Sequence, residues 1–380
     1  MSRFDKILNN FLSARSVLVM ACLAALAAYG PHFSNGLVFD DHPQIENNPL
    51  VNGTSAWAEA FDHGIWAHME GETGSRDIYY RPILLLIHRL TYQAGNGSAI
   101  AFHVLSLVLH LIATYLTYHV LRRLDLQSKS AAVATALFAL HPLASETIYW
   151  AASAGEILLQ ISLLATVLLS MLAQSGQTVK RTLCHLGAIF SLVCGLLSKE
   201  TAVIIAVIVT LEAFRHTRKE CISRLKASLP LWVMTIGYLW LRARIVSTDI
   251  GEILPDGLHN MSLFGTGLIW YLKQFLIPYP LTSVHVLPME ASAWQLILGL
   301  SVTIFLLFTF VWCFFRRPSA LFFLGWFFLP LLIALIPTLT SLEFVTGTPV
   351  AERYMYLSLV PWCASCVLLI KHLIVARFPA

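Results

Sequence analysis

Apolar runs of roughly 17 to 25 residues recur from one end of this chain to the other, and that length crosses about 30 Å of hydrocarbon as an α-helix. Of the 380 residues, 57% are hydrophobic and only 12% are charged, which is more apolar than one soluble core requires. The strands of a membrane β-barrel would alternate in polarity over segments of about 10 residues, whereas these runs are apolar on all faces. The sequence therefore predicts an all-α polytopic membrane protein.

The runs predict about ten transmembrane helices, so that both termini lie on the same side of the membrane. A further segment, 263–277, is apolar enough to span, yet counting it would move Arg316 and Arg317 to the opposite side. We expect a re-entrant or surface-lying helix there. The first run ends without an Ala-x-Ala-type cleavage site, which favours a retained anchor. The expected spans are 16–33, 100–121, 131–150, 157–173, 183–197, 202–214, 229–246, 294–315, 321–339 and 355–370.

Lysine and arginine residues collect at alternate ends of these spans, and positively charged short loops are retained in the cytoplasm. Both termini are therefore expected to be cytoplasmic. The outer face would carry a long first loop, 34–98, with short amphipathic helices, and a second polar region, 247–293. We expect one integral membrane domain over 1–380 without TPR repeats, located in a bacterial inner membrane or, in a eukaryote, the endoplasmic reticulum membrane.

Charged and polar residues gather at the outer ends of six segments. Ionisable groups at bilayer depth cost on the order of a few kcal/mol each when unpaired, so they are expected to face one another or a wet cavity. Their common side predicts one shared site. The members are Asp40, Asp41, Arg81, His141, Glu146, Lys199, Glu200, Arg242, Arg244, Glu352, Arg353 and Tyr354.

Structural interpretations remain open for each of these groups. Lys199 and Glu200 could be an ion pair that caps a hairpin, Glu352 and Arg353 could anchor the chain at the interface, and His141 before Pro142 could end a helix. Asp40 and Asp41 could cap a helix or form a turn, and the side chains of Arg242 and Arg244 could extend towards the interface. Seven cysteines are scattered and mostly lie within apolar runs, which favours packing. The sequence has neither a His-Glu-x-x-His motif nor paired Cys-x-x-Cys motifs, so no metal site is predicted.

Six short motifs connect these residues with a known family. They are Phe39-Asp40-Asp41-His42, Tyr80-Arg81-Pro82, Phe102-His103 with His110, Leu140-His141-Pro142 followed by Glu146, Leu197-Ser198-Lys199-Glu200-Thr201 and Ala351-Glu352-Arg353-Tyr354. In order and spacing, the chain from about residue 37 to 357 resembles the membrane half of the transmembrane and TPR-repeat O-mannosyltransferases and their bacterial relatives. These proteins belong to the glycosyltransferase C superfamily.

The resemblance implies an inverting glycosyltransferase that moves mannose or another hexose from a polyprenyl-phosphate donor to an acceptor hydroxyl on the non-cytoplasmic side. Asp40 matches the family's base, with Asp41 beside it. Cations would stabilise the leaving phosphate, and the remaining residues would position sugar hydroxyls, orient the cations or hold a divalent ion such as Mg²⁺ or Mn²⁺. Members of the superfamily differ in metal dependence, so no cofactor is certain. The implied substrate-binding residues are Arg81, His141, Glu146, Lys199, Glu200, Arg242, Arg353 and Tyr354.

The acceptor stays open, because TPR repeats are lacking and Met355 and Ser358 replace the more usual Leu and Pro after Arg353-Tyr354. It is a protein, a glycan or a lipid, and the other expected partners are the lipid-linked donor and membrane lipid, with no nucleic acid. A membrane carrier or flippase for a lipid-linked or anionic substrate would also gather charges, but it would tend to show inverted repeats and midplane charges, which the sequence lacks. The other alternative is a catalytically idle scaffold in which the aspartates serve structure alone.

Overall fold

Helices dominate the fold. The computed structural model describes residues 13–69, 79–174, 178–246, 257–282, 285–287, 293–336 and 348–377. Parts of the two expected outer regions and the end of the expected span 321–339 lie outside these ranges. The α-helices of the described residues are α1 (Ala14–Tyr29), α2 (Pro49–Asn52), α3 (Pro82–Gly95), α4 (Ala99–Arg123), α5 (Ser128–Ala139), α6 (Ser145–Tyr149), α7 (Ala154–Leu172), α8 (Thr178–Leu196), α9 (Ile204–Ala213), α10 (Arg218–Ile245), α11 (Gly257–Leu276), α12 (Ala293–Arg316), α13 (Pro318–Ala334) and α14 (Leu359–Arg377).

Short elements join these helices. Two strands, β1 (His285–Leu287) and β2 (Thr348–Val350), pair antiparallel with His285 opposite Val350. A π-helical turn covers His42–Glu46. Single 3₁₀ segments cover Gly30–Ser34, Trp57–Phe61, Ala67–Met69, Pro142–Ala144, Ala151–Ser153, Glu200–Val203 and Glu352–Ser358.

Within the described ranges, six helical segments are long and apolar enough to cross a membrane. A seventh is obtained if the bent pair Ser128–Ala139 and Pro142–Tyr149, with an angle of 53°, counts as one span. The chain is therefore a mainly helical integral membrane protein, as predicted, but ten spans are not confirmed. The six segments are Ala14–Ser34, Ala99–Arg123, Ala151–Leu172, Thr178–Leu196, Ile297–Arg316 and Glu352–Ile374.

The remaining expected spans differ from the observed helices in length or limits. The run 202–214 contains α9, whose ten residues extend only about 15 Å, because the 3₁₀ turn Glu200–Val203 takes its first residues. The run 229–246 is the second part of α10, which already begins at Arg218. The run 321–339 begins within α13, a helix of 17 residues with Pro330 inside it. Hydropathy measures how apolar a segment is, but it does not locate the turns that interrupt its helix.

Close helix packing relies on glycine where two backbones meet. A Cβ atom added at Gly265 of α11 would lie 2.2 Å from the Cα of Gly299 in α12. A Cβ atom at Gly195 of α8 would lie 2.8 Å from the Cβ of Ser162 in α7. Small residues allow such approach between membrane helices, where packing replaces the hydrophobic effect as the driving force. The segment 263–277, expected as a re-entrant or surface helix, thus belongs to a helix packed along α12.

Four glutamates occupy the first turns of helical segments and set up the site described below. Glu146 lies in the first turn of α6 and Glu156 in the first turn of α7, and Glu200 and Glu352 are the first residues of their 3₁₀ segments. A carboxylate is favourable there, because the free N–H groups and the positive end of the helix dipole stabilise negative charge.

Candidate active site

Among the described residues, three buried ion pairs join segments that are far apart in the sequence. Arg81 donates from Nε to Glu200 at 3.0 Å, and its Nη2 lies 3.0 Å from the same carboxylate. Lys199 donates from Nζ to the carboxylate of Glu156. All four side chains are largely buried, at 3 to 21% exposure. Buried charges of this kind are stable only when they are paired and hydrogen-bonded.

The third pair fixes both the backbone and the side chain of one residue. Glu146 accepts from the main-chain N of Arg353 at 2.7 Å and from its Nη1 at 2.6 Å. The two residues are 207 positions apart, and the side chains of Arg353 and Glu146 are 18% and 6% exposed. The guanidinium of Arg353 is therefore held in one orientation.

Local structure explains why these charges meet. Pro82 occupies the first turn of α3, and the Ile83 N–H donates to the carbonyl of Leu197 at 3.0 Å. This bond ties the start of α3 to the end of α8, so that Arg81 faces the Lys199-Glu200 turn. Proline suits this position, since its missing N–H would have no partner inside the helix anyway.

Aromatic rings line the cations. The Tyr354 ring lies 5.5 Å from Nζ of Lys199 and 4.8 Å from Cζ of Arg353. Trp150 covers Arg353 at 4.6 Å, and Tyr79 lies 4.5 Å from Cζ of Arg81. Cations in contact with ring faces gain a few tenths to about 2 kcal/mol and keep their remaining N–H donors available.

The two neighbouring aspartates have different environments. Asp41 is fully buried, and its two oxygens accept from the main-chain N–H of Val38 at 3.0 Å and of Ala152 at 2.7 Å. Burial raises the pKa of Asp41 to about 6, against the opposite effect of these two donors. Asp41 therefore anchors the loop to the segment that precedes α7, a contact that the residue pattern alone did not indicate.

Asp40 is only half-buried, and its carboxylate has no hydrogen-bond or ion-pair partner among the residues that the structure describes. Burial raises the pKa of this carboxyl above its ordinary value, while the positive charges of Arg353 and Arg81 act in the opposite direction. Both arginines are thus close enough to Asp40 to act on it electrostatically. A carboxylate with these properties can accept a proton from an incoming group.

The other predicted residues lie around this cluster in different roles. The Nδ1 of His141 accepts from the Leu143 N–H at 3.2 Å and caps the 3₁₀ turn that follows, which supports its interpretation as a helix end. Glu352 accepts from the Thr282 N–H at 2.8 Å. The Cζ of Arg244 lies 4.9 Å from the ring of Trp240 on its own helix, away from the ion pairs.

Arg242 lies in the last turn of α10, where it acts electrostatically on the hydroxyl of Tyr238. That hydroxyl donates to the carbonyl of Tyr80 at 3.5 Å, directly before Arg81 in the chain. Arg242 is therefore at the edge of the cluster rather than in one of its three ion pairs.

Sequence reasoning missed Glu156, Trp150 and Tyr79 as parts of the cluster. Glu156 pairs with Lys199, and it stands immediately before the expected span 157–173. A carboxylate at that boundary was the available signal, because a buried glutamate needs a cation. No comparable signal marked the two aromatic residues, which are common at membrane interfaces.

No group of three or more His, Cys, Asp or Glu side chains in the described ranges is arranged to hold a metal ion. The other carboxylates of the cluster are instead engaged: Glu200, Glu156 and Glu146 pair with cations, and Asp41 accepts from two main-chain N–H groups. These residues do not fit a divalent-ion site, and no chemical step is assigned to a metal. A cavity of about 280 Å³ lies elsewhere, between α7, α8 and α10, with His185 and Pro230 in its wall.

A second charged group lies at the opposite end of α9 from Glu200. Glu212 accepts from Arg224 at 2.9 Å and from His216 at 2.8 Å, and Nη1 of Arg215 lies 4.0 Å from it. This group joins α9 to α10 and contains none of the residues of the first cluster. Like the first cluster, this group pairs a buried glutamate with an arginine, so it offers a comparison for substitutions.

Comparison with known proteins finds relatives of one kind. The chain is 24% identical over 375 residues to a protein O-mannosyl-transferase from Caenorhabditis elegans, covering 94% of this chain and 52% of that protein. It is 31% identical over 191 residues to a protein O-mannosyl-transferase from Drosophila melanogaster, covering 49% of this chain and 20% of that protein. The chain thus spans about half the length, or less, of these curated relatives.

No family model matches the chain. Among solved structures, an archaeal oligosaccharyltransferase from Archaeoglobus fulgidus, determined in complex with an inhibitory peptide and a dolichol-phosphate, aligns with a TM-score of 0.45 and 13% identity. The alignment covers 97% of this chain and 52% of that one. The resemblance given by the six motifs is confirmed by the sequence relatives: over nearly its whole length this chain is related to protein O-mannosyl-transferases.

Proposed function

We propose that the chain is an inverting glycosyltransferase that moves a hexose from a polyprenyl-phosphate carrier to a hydroxyl group of a protein. The proposed hexose is mannose. The observation that carries this proposal is the Asp40 carboxylate, half-buried and without a partner among the described residues, within electrostatic reach of the fixed cations Arg81 and Arg353. The names of the sequence relatives support both the sugar and the protein acceptor.

Asp40 acts as the base. The acceptor oxygen attacks the anomeric carbon as its proton passes to the Asp40 carboxylate, and the bond between the anomeric carbon and the phosphate oxygen breaks on the opposite face. The electron pair of that bond leaves with the lipid phosphate. A raised pKa suits this role, because a carboxylate that holds its proton more tightly is a better base as long as it stays ionised at the working pH.

The cations stabilise the departing phosphate. Within the described ranges, Nη1 of Arg81 and two of the three N–H bonds of Lys199 have no hydrogen-bond partner. The three glutamates hold these groups in place, so little reorganisation is needed as negative charge develops. Arginine suits a two-point grip on phosphate oxygens, whereas lysine acts as a point charge. Asp41, His141 and Tyr354 position the loop, the turn and the aromatic wall around them.

The membrane arrangement belongs to the same proposal. The cluster faces the non-cytoplasmic side, both termini are cytoplasmic, and one membrane domain holds the site. Support comes from the contact between Phe214 and Phe314, whose rings lie 5.7 Å apart. This contact brings Arg215 to the same level as Arg316 and Arg317, at the end of the bundle opposite Glu200. Basic residues collected at one end favour a cytoplasmic location for that end.

Substitution Asp40→Asn tests the proposal. Purified protein in nanodiscs receives a radiolabelled polyprenyl-phosphate mannose and a peptide that contains Ser and Thr, and transfer to the peptide is counted. We expect a loss of at least about a hundredfold, in the usual range for removal of a general base. The matched control is Asp125→Asn, since Asp125 is 92% exposed at the other end of the bundle, has a left-handed backbone that Asn tolerates, and should leave transfer unchanged. Undiminished transfer by the Asp40 variant would exclude Asp40 as the base.

A further inference from the structure

The proposed base is the third residue of a strained turn. The Asp41 N–H donates to the carbonyl of Val38 at 3.0 Å, which closes a four-residue turn with Phe39 in its second position. The φ angle of Phe39 is +49°, in the left-handed region. Turns with positive φ at this position normally take glycine, and a bulky residue there is a genuine outlier. The two Asp41 side-chain bonds to Val38 and Ala152 hold the turn in this form.

Packing within the chain does not explain why a phenylalanine occupies this position. The side chain is 72% exposed, and the ring contact recorded for it in the described residues is with Trp150, edge to face at 6.4 Å. Glycine would adopt the same backbone without strain. Strained residues that persist without an internal gain concentrate where a protein binds its ligands.

The ring lies close to both the proposed base and one of the cations of the cluster. Phe39 directly precedes Asp40 in the chain. Its ring contacts Trp150, and the ring of Trp150 in turn lies 4.6 Å from the guanidinium of Arg353. Any hydroxyl that gives its proton to Asp40 must bring its neighbouring groups past the Phe39 ring.

We propose that Phe39 is a specificity-determining residue that contacts the acceptor polypeptide, with its ring packed against an apolar side chain next to the accepting Ser or Thr. The assignment rests on the proposed function. An exposed ring without a polar group recognises apolar or C–H surface, so it favours valine or leucine beside the hydroxyl over glycine.

The test compares two peptides with one threonine each, flanked by valines in the first and by glycines in the second. We expect the wild-type protein to favour the valine peptide about tenfold in kcat/KM, which corresponds to about 1.4 kcal/mol. Phe39→Gly should reduce that ratio to about one at equal or higher thermal stability, because the backbone strain disappears with the ring. Phe39→Asn serves as a second variant that tolerates positive φ. Phe39→Tyr, and the matched neighbour change Val38→Ala, should keep the preference.

Two results would overturn the assignment. The first is an unchanged ratio in Phe39→Gly; if transfer to both peptides falls equally, the ring only orients Asp40. The second comes from Phe39→Trp: quenching of its additional emission by brominated lipid acyl chains, unaffected by peptide, would place the ring in the bilayer.

Binding of the same two peptides, labelled with a fluorophore and measured without donor, separates this inference from the proposed function. A preference for the valine peptide that disappears in Phe39→Gly supports the assignment. If the wild-type protein shows that preference yet transfers no sugar, the proposed function fails while the acceptor contact stands.

Discussion

Replacing Glu146 by glutamine removes the charge that holds Arg353. Both oxygens of Glu146 accept bonds from this one residue, at 2.7 Å from the backbone N and 2.6 Å from Nη1. The amide of glutamine offers one acceptor oxygen, so one of the two donors then faces an NH₂ group. Breaking one side of a buried ion pair costs about 3 to 5 kcal/mol, because the other charge stays buried without its partner.

The lower end of that range applies to Glu146→Gln. Arg353 remains 18% exposed and keeps its contacts with the Tyr354 hydroxyl at 3.3 Å and with the Trp150 ring. A loss of about 3 kcal/mol, expressed entirely as misplacement of the cation at the leaving phosphate, lowers kcat/KM by about a hundredfold. The assay is mannosyl transfer in nanodiscs, normalised to folded protein by thermal unfolding.

Glu212→Gln is the matched control for this change. Glu212 is also a buried glutamate, 7% exposed and bonded to Arg224 at 2.9 Å, but it lies at the end of α9 that is remote from Glu200 and the cluster. We expect a similar loss of thermal stability and a kcat/KM within about twofold of wild type for the folded protein. Equal effects of the two substitutions on kcat/KM, or an unchanged kcat/KM in Glu146→Gln, would refute the reasoning that Arg353 acts in the site.

Further outcomes follow from the same structure. Asp41→Asn should lower the free energy of unfolding by about 2 kcal/mol, since one of two main-chain donors loses its acceptor, and a midpoint of thermal unfolding equal to wild type would contradict this. Sugar transfer should fall as the pH drops through the raised pKa of Asp40, because protonation removes the base. This loss should start at a higher pH than for an ordinary aspartate of pKa about 3.9. A kcat/KM that is constant from pH 8 to pH 4 would contradict this prediction. Gly265→Ala should destabilise the protein by about 1 to 3 kcal/mol, because the added Cβ would lie 2.2 Å from the Cα of Gly299. Gly237→Ala is the control and should not destabilise it, since no atom lies within 4 Å of the added Cβ. Equal melting temperatures of the two variants would argue against the close helix contact.

Hydropathy predicted the class of fold because the cost of exposing polar backbone to lipid leaves a helix as the main option for an apolar run of span length. It failed where a short polar turn interrupts a run. The 3₁₀ segment Glu200–Val203 takes the first two residues of the expected span 202–214, and α9 is correspondingly short.

The positions of basic residues along the chain indicated that Arg81, Lys199, Glu200 and Arg353 would lie at one level. In the structure Arg81 pairs with Glu200, and the Tyr354 ring contacts both Lys199 and Arg353. Which partner each cation takes could not be predicted. Glu146 and Arg353 are 207 residues apart, and such pairing depends on how helices pack in three dimensions. The motif also does not show which of its two aspartates is anchored. The structure does, because Asp41 accepts from the Ala152 N–H whereas the Asp40 carboxylate has no partner among the described residues.

A cryo-electron microscopy structure with a polyprenyl phosphate bound in a nanodisc would locate the donor phosphate. We predict phosphate density within about 3.5 Å of donors from Arg81, Lys199 and Arg353. The Asp40 carboxylate should face the position of the anomeric carbon from the side opposite the phosphate. Phosphate bound instead at Arg215, at the other end of the bundle, with the Arg81 to Arg353 cluster empty, would contradict this expectation.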